Sequence, residues 1–302
     1  MKNGFMWKDT QGKDIQAHGG CIIQHNGIYY WYGENKGIDN VPGKDRTDVI
    51  GVSCYSSDDL CNWKYEGLVL KADNENPESP IHTTKVLERP KVIYNEKTNQ
   101  FVMWMHIDDA SYTLAAAGVA ISDTPTGPFE FIRATQPNRQ DCRDMTIFRD
   151  NDGKAYLIHS KDWNKTLNIA RLNDDFTSTD GFYVSVMQDQ EREAPAICYH
   201  NKMYYMITSG CTGWKYNAAL FARCPSLLGK WKLIDNPCEG KNYRNTFCGQ
   251  SSYIFNVNGN DYLMLDHWKP YNLKESGYSI LPIIYDDKNN MTVLWQEEWN
   301  GI

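Results

Sequence analysis

The chain has 302 residues and a formal net charge of -7, long enough for one large all-β domain or for two ordinary ones. The acidic balance argues against nucleic acid or an anionic membrane as a partner, because both require a basic face. A neutral or cationic ligand is expected instead.

Aromatic residues make up 13% of the chain, with 19 Tyr and 10 Trp. Most fall within strand-like runs and are expected to be structural; the others are available to stack on a sugar ring or a base in a cleft. The nine cysteines are scattered without a metal-like pair spacing and read as small buried hydrophobes in the reduced state. That reading favours a cytoplasmic protein, or a secreted one whose signal peptide is not in this sequence. No stretch approaches the roughly 18 apolar residues of a membrane span.

In chain order, the first informative segment is Ala17-His18-Gly19-Gly20 ahead of Cys21-Ile22-Ile23, followed by a polar turn and an aromatic run at residues 26–32, from Asn26-Gly27 to Tyr32. Asn-Gly favours the positive φ angles of a tight hairpin. A second turn then leads to an aromatic at residues 57–63, ending in Trp63. The same succession recurs. Glu88-Arg89-Pro90 precedes an apolar run, the turn and strand at residues 99–104, and a turn ending in Phe129. Arg143-Asp144 precedes Met145-Thr146-Ile147, the copy at residues 152–158 and Phe176. Glu193-Ala194-Pro195 precedes Ala196-Ile197, the copy at residues 201–207 and Trp231. Gly249-Gln250 precedes Ser251-Ser252-Tyr253 and the copy at residues 258–265.

Five copies at intervals of roughly 50 to 70 residues, each with room for four short strands, predict an all-β five-bladed β-propeller. A twisted sandwich of hairpins is the alternative. No linker divides the chain, so residues 1–302 are expected to form a single domain. Each aromatic repeat reads as a turn feeding an inner strand, and the polar residue ahead of it as aimed at a central depression.

Those positions hold His18, Glu88, Asp144, Glu193 and Gln250. Glycosidic cleavage needs one acid for the leaving oxygen and a base or nucleophile across the ring. Glu193, beside Ala194 and Pro195, is the candidate acid, because partial desolvation raises a carboxyl pKa. His18 is either a ligand contact or a hydrogen-bonded structural histidine.

Taken together, the segments 17–20, 29–34, 88–92, 143–145, 193–196, 208–214 and 250–251 resemble the family 43 glycoside hydrolases and, within them, the exo-β-1,3-galactanases. The resemblance implies an inverting enzyme that releases galactose, or substituted galactose units, from the non-reducing end of β-1,3-galactan or arabinogalactan; a monomer is expected. It implies Glu193 as general acid and Asp144 as the residue that tunes it and orients the sugar. The family's N-terminal Asp is replaced here by His18-Gly19-Gly20, and the branch is similar in using a glutamine, matched by Gln250, where a base is expected. Gln250 then acts by holding water or through its imidic tautomer. Glu88 either takes the proton or binds sugar hydroxyls, Glu34 is a further hydroxyl-binding candidate, and Trp214 and Trp268 either stack under galactose or pack in the core.

An inverting enzyme needs roughly 6.5–9.5 Å between acid and opposing group, and that separation is expected between Glu193 and Gln250. The branch resembles Asp-Arg-Trp where this chain has Asp266-His267-Trp268. Many family propellers place a histidine toward a calcium ion in the central channel. His267 alone is a poor donor set for calcium, which prefers several oxygens, so no cofactor is expected to be required, and a structural calcium in the central channel is the alternative. Other family 43 specificities (β-galactosidase, α-L-arabinofuranosidase, β-xylosidase) and a sugar-binding propeller without catalysis are the competing readings.

Overall fold

A computed structural model describes all residues, 1–302. It is a five-bladed β-propeller. Blade one comprises β1 (His18–His25), β2 (Ile28–Glu34), β3 (Gly51–Ser57) and β4 (Lys64–Lys71). Blade two comprises β5 (Val86–Asn95), β6 (Gln100–Asp108), β7 (Ala116–Ser122) and β8 (Glu130–Thr135). Blade three is formed by β9 (Met145–Arg149), β10 (Ala155–Lys161), β11 (Thr166–Leu172) and β12 (Thr179–Val186), and blade four by β13 (Arg192–His200), β14 (Met203–Gly210), β15 (Leu220–Cys224) and β16 (Lys232–Leu233). Blade five contains β17 (Cys238–Glu239), β18 (Gln250–Val257), β19 (Asn260–His267), β20 (Gly277–Tyr285) and β21 (Met291–Leu294), with β17 added in parallel to the outer edge at β21.

The ring closes through its innermost strands: β1 contacts β5, β5 contacts β9, β9 contacts β13, β13 contacts β18, and β18 returns to β1. This corrects one expectation. The aromatic repeats are the second strand of each blade, β2, β6, β10, β14 and β19, and the inner strand is the shorter run ahead of each. A second strand is paired on both edges and packed on both faces, so it carries the densest apolar pattern. The turns are as read: Asn26 and Gly27 have φ of 50° and 82°, and Asn258 and Gly259 have 51° and 83°.

The core consists of five wedges, one between each pair of neighbouring blades. Trp31, Trp63, Tyr278 and Ile280 join blades one and five, while Tyr32, Val52, Met103 and Phe129 join blades one and two. Trp104 with Ile147, Ile158 with Met206, and Tyr205 with Leu263 mark the other three. The aromatics that end the outer turns, expected to cover sheet edges, instead plug these wedges: Trp63 is fully buried and Phe129 and Phe176 nearly so. All nine cysteines are free, six of them buried.

No strand is exchanged to close the ring. The termini do this work, with Lys2 bridging Glu298, Phe5 bridging Tyr278, and the Trp299 indole donating to the Leu60 carbonyl at 2.8 Å. No helix is long and apolar enough to cross a membrane.

Blade one is drawn close to the N-terminal segment at Gly33, where a Cβ would lie 2.0 Å from the Ala17 carbonyl carbon. Gly33→Ala is therefore expected to cost about 1–3 kcal/mol, as overpacking does, and to lower Tm by roughly 2 °C or more. An unchanged Tm in calorimetry would refute the close approach.

Candidate active site

Four inner strands break register at the site end: between His18 and Cys21, Glu88 and Lys91, Glu193 and Ala196, and Ser251 and Tyr253. A bulge re-aims the side chain beside it. In three blades the residue just after the site residue is left-handed, with φ of 58° at Gly19, 54° at Arg89 and 51° at Ala194. The repeat of this local kink turns His18, Glu88 and Glu193 out of the sheet pattern at equivalent places.

Glu193, Gln250 and Asp144 converge, and Arg89 joins them. Its Nη2 donates to Gln250 Oε1 at 2.6 Å, its Nε to Asp144 Oδ1 at 3.2 Å, and its Nη1 to the Ser251 carbonyl at 2.8 Å. Asp144 also accepts the Ala194 N–H at 2.9 Å. The Gln250 amide is saturated. Its oxygen accepts from Arg89 and from Trp268 Nε1 at 3.0 Å, and its nitrogen donates to Glu193 Oε1 at 3.1 Å and Ser209 Oγ at 3.0 Å. Asn164 Nδ2 donates to the other oxygen of Glu193 at 3.1 Å.

The expected gap of an acid and its opposing group is thus not found between Glu193 and Gln250, which are directly hydrogen-bonded. The reason is chemical: a half-buried amide nitrogen has two N–H donors that seek acceptors, and Ser209 Oγ takes one and the carboxyl of Glu193 the other.

Burial, and next the charge of Asp144, push the Glu193 carboxyl up to about 7, with Arg89 pulling the other way. Glu88 is driven oppositely. Burial alone would raise it, but the hydrogen bond and charge of His106, with Lys36 and the Tyr112 hydroxyl, outweigh burial and hold it down to about 2. Tyr112 donates to Glu88 at 2.7 Å, and His106 bridges Glu88 at 3.1 Å and Asp108 at 3.0 Å. His106 resists its own desolvation through those two carboxylates and is lifted to about 9. One carboxyl able to deliver a proton near neutral pH and another kept ionised are the electrostatic parts of acid-assisted bond cleavage.

The remaining candidates fall in two groups. Trp214, 40% exposed, meets the edge of Trp268 at 5.8 Å, and both line a small pocket with Ser209, Asn217 and Gln250. His18 and Glu34 are both buried and bonded within the protein. His18 is fully buried, with Nδ1 on Asp266 at 3.2 Å, Nε2 on the Tyr278 hydroxyl at 3.0 Å, and its ring 5.4 Å from that of Trp268. Glu34 is buried, accepting the Arg89 N–H at 3.0 Å and pairing with Lys36 at 2.8 Å; burial, then the neighbouring Glu88, raises its pKa.

His267 has both nitrogens committed, to the Cys248 carbonyl at 2.8 Å and Ser279 Oγ at 2.6 Å, and burial lowers it to about 4. No group of three or more His, Cys, Asp or Glu side chains that could hold a metal ion is present.

Sequence reasoning passed over Arg89, His106, Asp108, Tyr112, Asn164 and Ser209. A signal existed for two of them. Arg89 lies inside the Glu88-Arg89-Pro90 segment, and His106 is the direct cross-strand partner of Glu88.

A desolvated carboxyl, a second carboxyl held ionised and an adjoining pocket edged by tryptophan belong to the chemistry of glycoside hydrolases. The sequence profile of glycosyl hydrolases family 43 matches residues 21–281, and the chain belongs to that family. Among solved structures, a family 43 β-1,3-galactosidase with galactodeoxynojirimycin is 39% identical over 99% of this chain and 100% of that one, with a TM-score of 0.94. The exo-β-1,3-galactanase of Phanerochaete chrysosporium with β-1,3-galactotriose is 33% identical (97% of this chain, 66% of that one, TM-score 0.89). That of Clostridium thermocellum is 34% identical (97% and 64%, TM-score 0.87). The chain thus spans about two thirds of the latter two. A comparison with curated protein sequences finds no match.

The setting of Glu193 is tested by carbon-13 NMR of labelled glutamate carboxyls, with Glu193→Gln assigning the signal. A midpoint near 7 is expected, and the ordinary 4.5 would contradict it.

Proposed function

We propose that the protein is an exo-β-1,3-galactanase that releases galactose from the non-reducing end of β-1,3-galactan or the galactan backbone of arabinogalactan, with inversion. The observation that carries this reading is the end-to-end likeness, at 39% identity, to a β-1,3-galactosidase. The site supports it. Glu193, raised to about 7, protonates the glycosidic oxygen as the bond to the leaving sugar breaks.

Galactose entering between Glu193 and Gln250 replaces their hydrogen bond. The Gln250 oxygen stays with Arg89 and Trp268, so its NH2 group is what faces the substrate side. This favours holding a water by its oxygen over action as the imidic tautomer, because two donors already occupy the oxygen that the tautomer would protonate. As that water bonds to the anomeric carbon and the bond to the leaving sugar breaks, its surplus proton passes to bulk water, from which Glu193 regains the proton it gave to the leaving oxygen. Glu88, with both oxygens bonded and a pKa near 2, is a weak base and serves better as a fixed negative charge and acceptor for sugar hydroxyls. Trp214 and Trp268 edge the pocket. The reaction so drawn uses side chains alone, and dialysis against EDTA is expected to leave the rate unchanged.

Two assays test the proposal. Incubation with β-1,3-galacto-oligosaccharides, followed by proton NMR, is expected to show α-galactose as the first product; β-galactose would overturn inversion. Glu193→Gln is expected to keep galactose binding while lowering the rate on these substrates by about 10² or more. A parent that cleaves only arabinofuranosides or xylosides would redirect the specificity, and binding without any product would favour a non-catalytic sugar-binding propeller.

A further inference from the structure

Of the ten tryptophans, only Trp163 and Trp214 are exposed, at 67% and 40%. Each lies beside a hydrogen-bond partner of the acid, Trp214 by Gln250 and Trp163 by Asn164. Trp214 shares the pocket with Ser209 and Gln250. Trp163 lies in the turn after β10, next to Asn164, whose side chain donates to Glu193 and accepts from Ser160 Oγ at 2.7 Å. An indole that open offers a large apolar face to solvent, and its neighbourhood to Asn164 and Glu193 is what gives that face a use.

The turn is also firmly built. Asp162, Trp163 and Asn164 are all left-handed, with φ of 53°, 56° and 63°, a run that non-glycine residues keep only when the surroundings enforce it. Asp141 supplies that enforcement, accepting the N–H groups of Asp162 and Trp163 at 2.9 and 3.3 Å. Arg143 braces the ring, its guanidinium carbon 4.1 Å from the indole centre. Arg143 is in turn fixed by the Tyr112 carbonyl at 3.0 Å and by Asp108 at 3.6 Å. The ring is thus tied to the same network that holds Glu88.

An acid that protonates the leaving oxygen stands on the leaving-group side of the scissile bond. We propose that Trp163 is the stacking platform of a leaving-group subsite, receiving the face of a galactosyl residue on the reducing side of the bond. This rests on the galactanase reading and extends it: Trp214 and Trp268 bound the terminal galactose, whereas Trp163 reads the chain behind it. A rigid indole suits this, because it offers a large apolar face at little entropic cost.

The test compares the parent, Trp163→Ala and Trp163→Phe on β-1,3-galactotriose and an aryl β-galactoside, with the Ki of galactodeoxynojirimycin as a measure of the terminal-sugar site. Trp163→Ala is expected to lower kcat/KM on galactotriose by about 3- to 10-fold, mainly through KM. The Ki should change less than twofold, the aryl galactoside should suffer less than galactotriose, and Trp163→Phe should restore most of the loss. An equal loss on both substrates, or a weakened Ki, would mean that the residue only supports Asn164 and Glu193, and would overturn the subsite. No loss on galactotriose would overturn it too. A parent inactive on galactotriose would instead count against the galactanase reading, a result separable from these because it is seen before any substitution.

Discussion

One buried guanidinium ties the site together. Arg89 emerges from blade two at a left-handed residue ahead of Pro90. Its backbone N–H reaches Glu34 of blade one, and its side chain reaches Asp144 ahead of blade three and both Gln250 and the Ser251 carbonyl of blade five. Asp144 then takes the Ala194 N–H of blade four, so five separate sheets meet on one network. A planar fork with several donors in fixed directions can do this, whereas an ammonium of the same charge cannot. Breaking such a buried pair by removing one partner costs several kcal/mol, which makes the network a structural as well as a functional constraint.

Two glutamates in equivalent slots of blades two and four come to differ through their neighbours. Glu193 has little but burial and Asp144 acting to raise it, with Arg89 and Cys211 opposing weakly. Glu88 has an imidazolium on one oxygen and a phenol on the other. Neither difference is written in the residue type: Asp144, ahead of blade three, acts on Glu193, whereas His106 and Tyr112 of its own blade act on Glu88. The left-handed bulges matter for the same reason, since a regular strand would send these side chains into the wedges between blades.

Much of this was legible in the sequence. The fivefold recurrence of turn, aromatic strand and preceding polar residue gave the propeller, and the slots of Glu88, Asp144, Glu193 and Gln250 do meet at one end of the ring. The aromatic repeats misled in one respect, because the strand with the strongest apolar pattern is the most enclosed one rather than the innermost. His18 and Glu34 occupied suggestive positions, yet their bonding to Asp266, Tyr278, Arg89 and Lys36 depends on chain segments up to 260 residues apart. Asn164 was invisible for that reason as well, and Ser209, though inside segment 208–214, carried no sign of its bond to Gln250. The contact between Glu193 and Gln250 follows from local hydrogen-bond demand, which no spacing along the chain encodes.

The central claim, that Arg89 and Gln250 act as one unit, is tested most directly by a double-mutant cycle on kcat/KM for β-1,3-galactotriose. Arg89→Lys keeps the buried charge but loses the fork, and Gln250→Ala removes the amide. The account predicts that the double variant falls short of the product of the two single losses by at least about threefold, as coupled neighbours do. Losses that multiply to within about twofold, the behaviour of independent sites, would contradict it.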